Sequence, residues 1–102
     1  MGFGHKEKIY QNAIEHALGQ SNIKFRRELP AKIQFQGKDV GLYYFDFLVD
    51  GKVVLEIKVR NFFSKKDIIQ LYSYLKAMKL KLGIIAHFTR TGVKFKRVVN
   101  LK

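Results

Sequence analysis

The region that most limits the fold is the segment 40–59, VGLYYFDFLVDGKVVLEIKV, in which two apolar stretches flank an Asp-Gly pair. Asp50-Gly51 is typical of a tight hairpin turn, because both residue types tolerate a positive φ. Side chains of a strand alternate between two faces, so each stretch predicts a strand with one apolar face. Two antiparallel strands are therefore expected at the centre of any sheet that this chain forms.

One face of the predicted hairpin is wholly apolar, and we expect it to pack against helices. Its members are Tyr43, Phe45, Phe47, Val49, Val53, Leu55, Ile57 and Val59. The other face carries three charged side chains, Asp46, Glu56 and Lys58. A buried charge without a partner is costly, so these three are expected to serve one another or a ligand.

The length of the connecting loop decides which residues of the hairpin face each other. A two-residue turn would set Asp46 opposite Leu55 and mix the two faces, which is costly. A three-residue loop over residues 49–51, with its glycine in the left-handed conformation, keeps the faces apart. Asp46 is then opposite Val54 and diagonal to Glu56, about 7–8 Å away at the backbone. The two carboxylates are expected to converge.

The N-terminal region predicts an amphipathic helix over residues 5–19. Apolar residues recur there at helical spacing and form one stripe, made of Tyr10, Ala13, Ile14, Ala17 and Leu18. Glu7 falls on the edge of this stripe, whereas Glu15 points to solvent. Two glutamates of one helix are therefore expected to have different environments.

The other elements give the order αβββαββ, a mixed α/β sandwich with a central mixed sheet flanked by helices. They are an extended segment over 23–35 interrupted at Pro30, a turn over 36–39, a helix over 65–80 capped by Ser64, and strands over 82–88 and 93–99. The chain of 102 residues is expected to form one domain over residues 1–102.

The charge balance favours a polyanionic partner. Lys and Arg total 20 against 8 Asp and Glu, a net charge of +12. Neutralising the phosphates of a nucleic acid releases counterions, so nucleic acid is the leading candidate, and a basic surface without a partner is the alternative. No apolar stretch is long enough to span a bilayer, and no membrane partner is expected. The absence of cysteine leaves no thiolate metal site and is expected of a cytoplasmic protein.

The converging charges predict a particular chemistry. Asp46 and Glu56, with the carbonyl of Ile57, offer the hard oxygen ligands that Mg²⁺ prefers, with Mn²⁺ as a substitute. A bound metal would lower the pKa of a water, and Lys58 could orient that water or stabilise developing charge. These parts suffice for phosphodiester hydrolysis. The alternative is a structural ion pair between Lys58 and one of the carboxylates.

These residues resemble the motif of the PD-(D/E)XK nuclease superfamily, in which Asp46 is followed on the next strand by Glu56-Ile57-Lys58. The N-terminal GHKEKIY matches the pattern that names the small GxxExxY family, which is placed in this superfamily. The similarity continues through QLYSYLKAM and LGIIAHF and covers nearly the whole chain. It implies a restriction-endonuclease-like core and Mg²⁺-dependent hydrolysis of DNA.

The resemblance also implies roles for single residues. Asp46 and Glu56 would be metal ligands and Lys58 the catalytic lysine. Glu7 resembles an acidic residue that many members place on the first helix near the metal. The alternative for Glu7 is a first-turn glutamate stabilised by the helix dipole.

Two residues of the second helix resemble the QxxxY motif of the exonuclease branch. Gln70 and Tyr74 are one turn apart and share a helix face. Gln70 would contact a metal-bound water or DNA, and Tyr74 would contact a phosphate. The alternative is a tyrosine that flanks the core and a solvated glutamine.

The last predicted strand is rich in basic residues. Lys94, Lys96 and Arg97 are expected to grip phosphates, and the alternative is an edge strand protected by charge. The sequence thus predicts a nuclease, and the main competitor is a module of the same fold that binds nucleic acid without cutting it. A chain this short predicts either weak sequence specificity or a homodimer, and leaves DNA and RNA both open.

Overall fold

The helices and strands follow the predicted order αβββαββ. The structure is a computed structural model that describes residues 3–60, 62 and 64–101. Its elements are α1 (Phe3–Gln20), β1 (Phe25–Phe35), β2 (Lys38–Val49), β3 (Val53–Val59), α2 (Lys65–Met78), β4 (Leu82–Thr89) and β5 (Gly92–Val99). No helix in this part of the chain is both long and apolar enough to cross a membrane.

The five strands form one mixed sheet in the order β1-β2-β3-β4-β5. All neighbours are antiparallel except β3 and β4, which are parallel and need the crossover that α2 provides. The predicted interruption at Pro30 is wrong, because β1 continues through it. Since β1 is an edge strand, the missing N–H of Pro30 need not cost a ladder hydrogen bond.

The helices cover opposite faces of the sheet, which corrects the prediction of a single apolar face. Consecutive β3 residues, Glu56 and Ile57, are both buried. Ile85 belongs to the core under α2, whereas Phe88, three residues further along β4, stacks on Tyr10 of α1. The α2 side of the core comprises Phe45, Val54, Leu71, Tyr74, Leu75, Ile85 and Val98.

The hairpin between β2 and β3 has the predicted three-residue loop, placed one residue later. Val49 pairs with Val53, so the loop consists of residues 50–52. The predicted left-handed glycine is confirmed, since Gly51 has φ 66°. The shift moves the register by two residues, so Asp46 lies level with Glu56 rather than with Val54. Because a shift of two preserves the alternation of faces, apolar patterning could not detect it.

Helix α2 is fixed at both ends by local hydrogen bonds. The predicted N-cap is confirmed, because the Ser64 hydroxyl accepts the N–H of Lys66 at 3.2 Å. Arg60 Nη2, which precedes the helix, donates to Asp67 Oδ1 in its first turn at 3.2 Å. The helix ends at Met78, two residues before its predicted end, and Lys79 follows in the left-handed conformation.

Candidate active site

The two carboxylates lie at the point where β2 and β3 stop pairing. Backbone pairing between these strands ends at Phe47 and Leu55. At the next position the N–H of Asp46 donates to Glu56 Oε1 at 3.1 Å, and the N–H of Ile57 donates to Asp46 Oδ2 at 2.7 Å. The carboxylates thus take over the role of the ladder hydrogen bonds where the strands split. This exchange explains why acidic residues occupy two central strands.

Strand β2 changes the direction of its side chains at the split. Phe45 belongs to the core under α2, whereas Phe47 lies 5.8 Å below the guanidinium of Arg27, which binds α1. In a regular strand these two phenylalanines would share a face. Opposite Asp46, Glu28 of β1 has φ 55° and is skipped in the pairing. This irregularity is the second reason why the predicted apolar face is wrong.

A polar side chain of α1, oriented by Arg27 of β1, holds Asp46. Gln11 Nε2 donates to Asp46 Oδ1 at 2.9 Å, and Arg27 Nη2 donates to Gln11 Oε1 at 3.1 Å. Arg27 Nη1 also donates to Asn12 and Glu15, both at 2.8 Å. Glu15 therefore forms an ion pair, and its side chain, predicted to point to solvent, is 45% exposed. Because its oxygen accepts from Arg27, the amide of Gln11 presents its NH₂ group to Asp46.

An aromatic cluster holds Glu56 from the other face. The Tyr43 hydroxyl donates to Glu56 Oε2 at 2.8 Å. The ring of Tyr43 stacks on Tyr74 of α2 with centroids 4.0 Å apart, and Tyr74 meets Phe45 edge-on at 5.4 Å. Glu56 itself is only 4% exposed. Its carboxylate is therefore fixed by stacked rings and a backbone N–H, far from bulk water.

Both carboxylates are harder to ionise than usual. Burial, with a smaller contribution from the charge of Glu7, raises the pKa of Asp46 from 3.8 to about 6. Burial and the nearby charge of Asp46 raise the pKa of Glu56 from 4.5 to about 7. The ammonium of Lys58 lowers both pKa values, but this offsets only part of the increase. A cation placed between the two groups would relieve the repulsion that contributes to these shifts.

The donor set for such a cation consists of two carboxylates. Glu7 lies in the second turn of a helix that begins at Phe3, which removes the first-turn explanation for it. Within residues 3–60, 62 and 64–101, however, no three acidic, histidine or cysteine side chains converge on one point. Gln11, one turn after Glu7, contacts Asp46 directly. Two carboxylates still fit Mg²⁺, which keeps several waters and often takes only one or two.

Comparison with known proteins identifies the family. The family model of the PD-(D/E)XK nuclease superfamily matches residues 1–98. The chain belongs to this superfamily. A solved structure described as the crystal structure of SSO0001 is similar at a TM-score of 0.73, with 20% sequence identity over 98% of this chain. That similarity concerns the fold, which is restriction-endonuclease-like as predicted. The present chain spans 53%, about half, of the chain in that structure. No curated protein matches the present chain.

A narrow pocket between the sheet and α2 brings Lys58 beside Glu56. It is lined by Tyr43, Glu56, Lys58, Asp67, Gln70, Leu71, Tyr74 and Ile85. Its cavity volume is about 10 Å³. A cavity of this size has room for one ordered water. Gln70 and Tyr74 share this lining as their spacing predicted. Tyr74 is only 7% exposed, which favours a core role over direct contact with a phosphate.

The sheet register separates the three basic residues predicted on β5. Lys94 shares a row of the sheet with Lys58, and Lys96 shares a row with Glu56, each two strands away. Strands lie about 4.8 Å apart, so each lysine is rooted about 10 Å from its row partner. Arg97 projects from the opposite face. The structure thus brings two of the three residues to the side of the pocket.

Three residues that hold Asp46 and Glu56 in place were not predicted from the sequence. Gln11 follows Glu7 by four residues and shares its helix face, so a polar residue at the edge of the inward stripe was a usable signal. Tyr43 was assigned to the apolar face, although a buried tyrosine hydroxyl usually needs a partner. Arg27 gave no signal, because its partners come from α1 and are remote in sequence.

Proposed function

We propose that this chain is a metal-dependent nuclease that hydrolyses phosphodiester bonds in DNA, with Mg²⁺ as the metal and Mn²⁺ as a substitute. The observation that carries the proposal is the split between β2 and β3, where Asp46 and Glu56 replace the ladder hydrogen bonds beside Lys58. Membership of the PD-(D/E)XK superfamily supports the same chemistry. Within the superfamily we propose the GxxExxY branch, because Gly4, Glu7 and Tyr10 match the pattern that names it.

Asp46 and Glu56 would hold the metal, together with the carbonyl of Ile57 and waters. When bound, the metal lowers the pKa of a water and neutralises charge on the phosphate. The protein's part is to keep two carboxylates in place before the metal arrives. Each carboxylate is fixed by one backbone N–H and one side chain, which leaves further lone pairs on the oxygens for a cation.

Lys58 and Gln70 would act on the substrate from the narrow pocket. The ammonium of Lys58 would donate hydrogen bonds to a phosphate oxygen whose charge grows in the transition state. The amide of Gln70 lines the same pocket and can orient the attacking water. Tyr74 supports them indirectly, because its ring holds the tyrosine that contacts Glu56. Glu7 adds negative charge near Asp46 and so favours a cation there.

The substrate would run from the pocket toward β5. Lys94 and Lys96 lie on the pocket side of the sheet, where they can contact phosphates that flank the scissile bond. Arg97 lies on the other face and contributes only to the general positive field. The net charge of +12 supplies the sequence-independent part of the affinity.

A module that binds nucleic acid without cutting it is the second candidate. One observation favours it: all four carboxylate oxygens of Asp46 and Glu56 already accept a hydrogen bond within the protein. In that case the two residues would serve only to hold the split strands together.

Cleavage of end-labelled DNA in Mg²⁺, Mn²⁺ or EDTA separates the two functions. The nuclease requires cutting that depends on metal and falls about 10²–10³-fold in Lys58→Ala. Lys52→Ala is the matched control, since that lysine is exposed in the hairpin loop and should leave cutting unchanged. Binding without cutting, equal in EDTA and in Lys58→Ala, would establish the binding module instead.

A further inference from the structure

Strands β1 and β2 continue beyond the split as a two-stranded arm. They pair with each other along nearly their whole length, whereas β2 pairs with β3 only between Phe47 and Val49. Residues 29–45 form this arm. It begins where the two carboxylates lie, so whatever binds to the arm is next to the candidate active site.

One face of the arm is covered and the other is open. Tyr43 and Phe45 both contact Tyr74 of α2. Tyr44 lies between them in the strand and therefore projects from the opposite face. Tyr44 is 55% exposed, an unusual state for a large aromatic residue in the middle of a strand. The open face thus presents an accessible ring.

Tyr44 belongs to a small exposed patch. Leu42, two residues away on the same face, is 56% exposed. Their cross-strand neighbours are Pro30 and Lys32, which are exposed as well. The patch therefore combines an aromatic ring, two apolar side chains and one positive charge.

The position of Tyr44 ties the patch to the active site. Tyr44 precedes Asp46 by two residues, which is about 7 Å along a strand. Asp46 reaches the α1 side of the sheet, where Gln11 contacts it, and Tyr44 projects to that side as well. A base bound to the Tyr44 ring would therefore lie close to a metal held by Asp46, on the side of the split opposite the pocket that Lys58 lines.

The charge of the chain indicates what covers this patch. A second copy of the chain would also carry +12 and would be repelled. A nucleic acid is attracted by the same charge. An exposed aromatic ring beside a lysine is the arrangement by which proteins stack an unpaired base and bind its phosphate. Bases within a duplex stack on each other and offer only their edges, so they cannot use such a ring.

We propose that Tyr44 and Leu42 bind an unpaired nucleobase, so that the site selects nucleic acid with a single-stranded segment beside the scissile phosphate. This inference rests on the proposed nuclease function for its biological meaning. The experiment that tests it measures binding alone and requires no cleavage.

Fluorescence anisotropy in EDTA measures binding without cleavage. The probes are labelled oligonucleotides of equal length: a single strand, a blunt duplex and a duplex with a single-stranded overhang. The proteins are the wild type, Tyr44→Ala, Tyr44→Phe and Tyr72→Ala. Tyr72 is the matched control, an exposed tyrosine on α2. Because Tyr44 is exposed, its variants should fold, and thermal melts check this.

The wild type should bind the overhang more tightly than the blunt duplex. Tyr44→Ala should lose from about 5-fold to about 150-fold in affinity for the single strand and the overhang, the equivalent of stacking one base. It should change binding to the blunt duplex less than about twofold. Tyr44→Phe and Tyr72→Ala should resemble the wild type, since the first keeps the ring and the second leaves the arm unchanged.

Each other result has a definite meaning. An equal loss on all three probes, or no loss, would overturn the role of Tyr44. A wild type that binds none of the probes would overturn both this inference and the proposed function. Selective loss in Tyr44→Ala without metal-dependent cutting by the wild type would support the inference and reject the nuclease.

Discussion

Asp46 and Glu56 occupy matching places on neighbouring strands, yet the protein holds them by different means. Asp46 is held by an amide of α1, which a guanidinium orients in turn. Glu56 is held by a phenolic hydroxyl within a stack of aromatic rings. Both have raised pKa values, mainly because they are buried. Each also accepts one backbone N–H across the split, Glu56 from Asp46 and Asp46 from Ile57.

The difference shows that two carboxylates at one split in a sheet can be held by two kinds of surroundings, polar side chains for Asp46 and aromatic rings for Glu56. The Asp46 side is a network of hydrogen-bonding side chains, which can adjust to a cation. The Glu56 side is packed by rings, which fix the carboxylate but leave its charge poorly solvated. We therefore expect the charge of Glu56 to have the larger effect on the unfolding free energy of the metal-free protein. The orientation of Asp46 should depend more on its contact with α1.

The largest effect is expected from removing the charge of Glu56 in the metal-free protein. Its pKa is about 7 in the fold against an ordinary 4.5, so the native state binds the proton more tightly. That stabilisation is complete below pH 4.5 and is lost as the pH rises through 7, a change of about 3 kcal/mol. Glu56→Gln stays neutral and should be more stable than the wild type above pH 7 in EDTA.

Denaturant unfolding in EDTA across this pH range measures the effect. Asp50→Asn is the control, because its carboxylate is exposed and asparagine also tolerates its φ of 54°. The control should follow the wild type at every pH. Parallel curves for Glu56→Gln and the wild type would mean that the carboxylate is ionised at no cost in the fold.

An intermediate effect is expected from Gln11→Leu. This change removes the donor to Asp46 and leaves Arg27 Nη2 without its acceptor. Unsatisfied polar groups of this kind cost about 1–3 kcal/mol in unfolding free energy. The affinity for Mn²⁺ should fall as well, because Asp46 loses the group that orients it.

Asn12→Leu is the matched control for Gln11→Leu. Asn12 accepts from the same guanidinium but is exposed, and it is Gln11 that donates to Asp46. Its replacement should lower stability slightly and leave the Mn²⁺ affinity unchanged. Equal Mn²⁺ affinities in the wild type and Gln11→Leu would show that the amide is only structural.

The smallest effect is expected from Tyr43→Phe. The variant loses the hydroxyl that donates to Glu56 but keeps the ring that stacks on Tyr74. Since that hydrogen bond lowers the pKa of Glu56, its loss should raise the pKa further and cost about 1 kcal/mol. Mn²⁺ affinity should fall less than in Gln11→Leu, because the N–H of Asp46 still holds Glu56. A larger fall would reverse the comparison between the two sides.

The order of the elements could be predicted from the sequence because it depends on local signals. Alternation over the segment 40–59 and the Asp50-Gly51 turn gave the central hairpin, and Ser64 gave the start of α2. The convergence of Asp46 and Glu56 followed from the same alternation. A register shift of two residues by itself moves no side chain to the other face. Asp46 and Glu56 therefore still converge, although the register differs from the predicted one.

The partners of the two carboxylates could not be predicted in the same way. The predicted apolar face assumed one covered side, but consecutive β3 residues are buried by helices on two sides. The irregularity at Asp46 involves Glu28 of another strand. Gln11 and Arg27 meet only through tertiary packing. Such contacts depend on which helix lies on which face, and periodicity within a single element does not contain that information.

The most direct test of the metal site is a titration of the metal-free protein with Mn²⁺, followed by electron paramagnetic resonance of the free ion. The wild type should bind one ion, and both Asp46→Asn and Glu56→Gln should lose most of that affinity, while Asp50→Asn keeps it. Binding should weaken as the pH falls below about 7, because protons then compete for Glu56. No bound ion in the wild type, or equal affinity in all four proteins, would contradict the account.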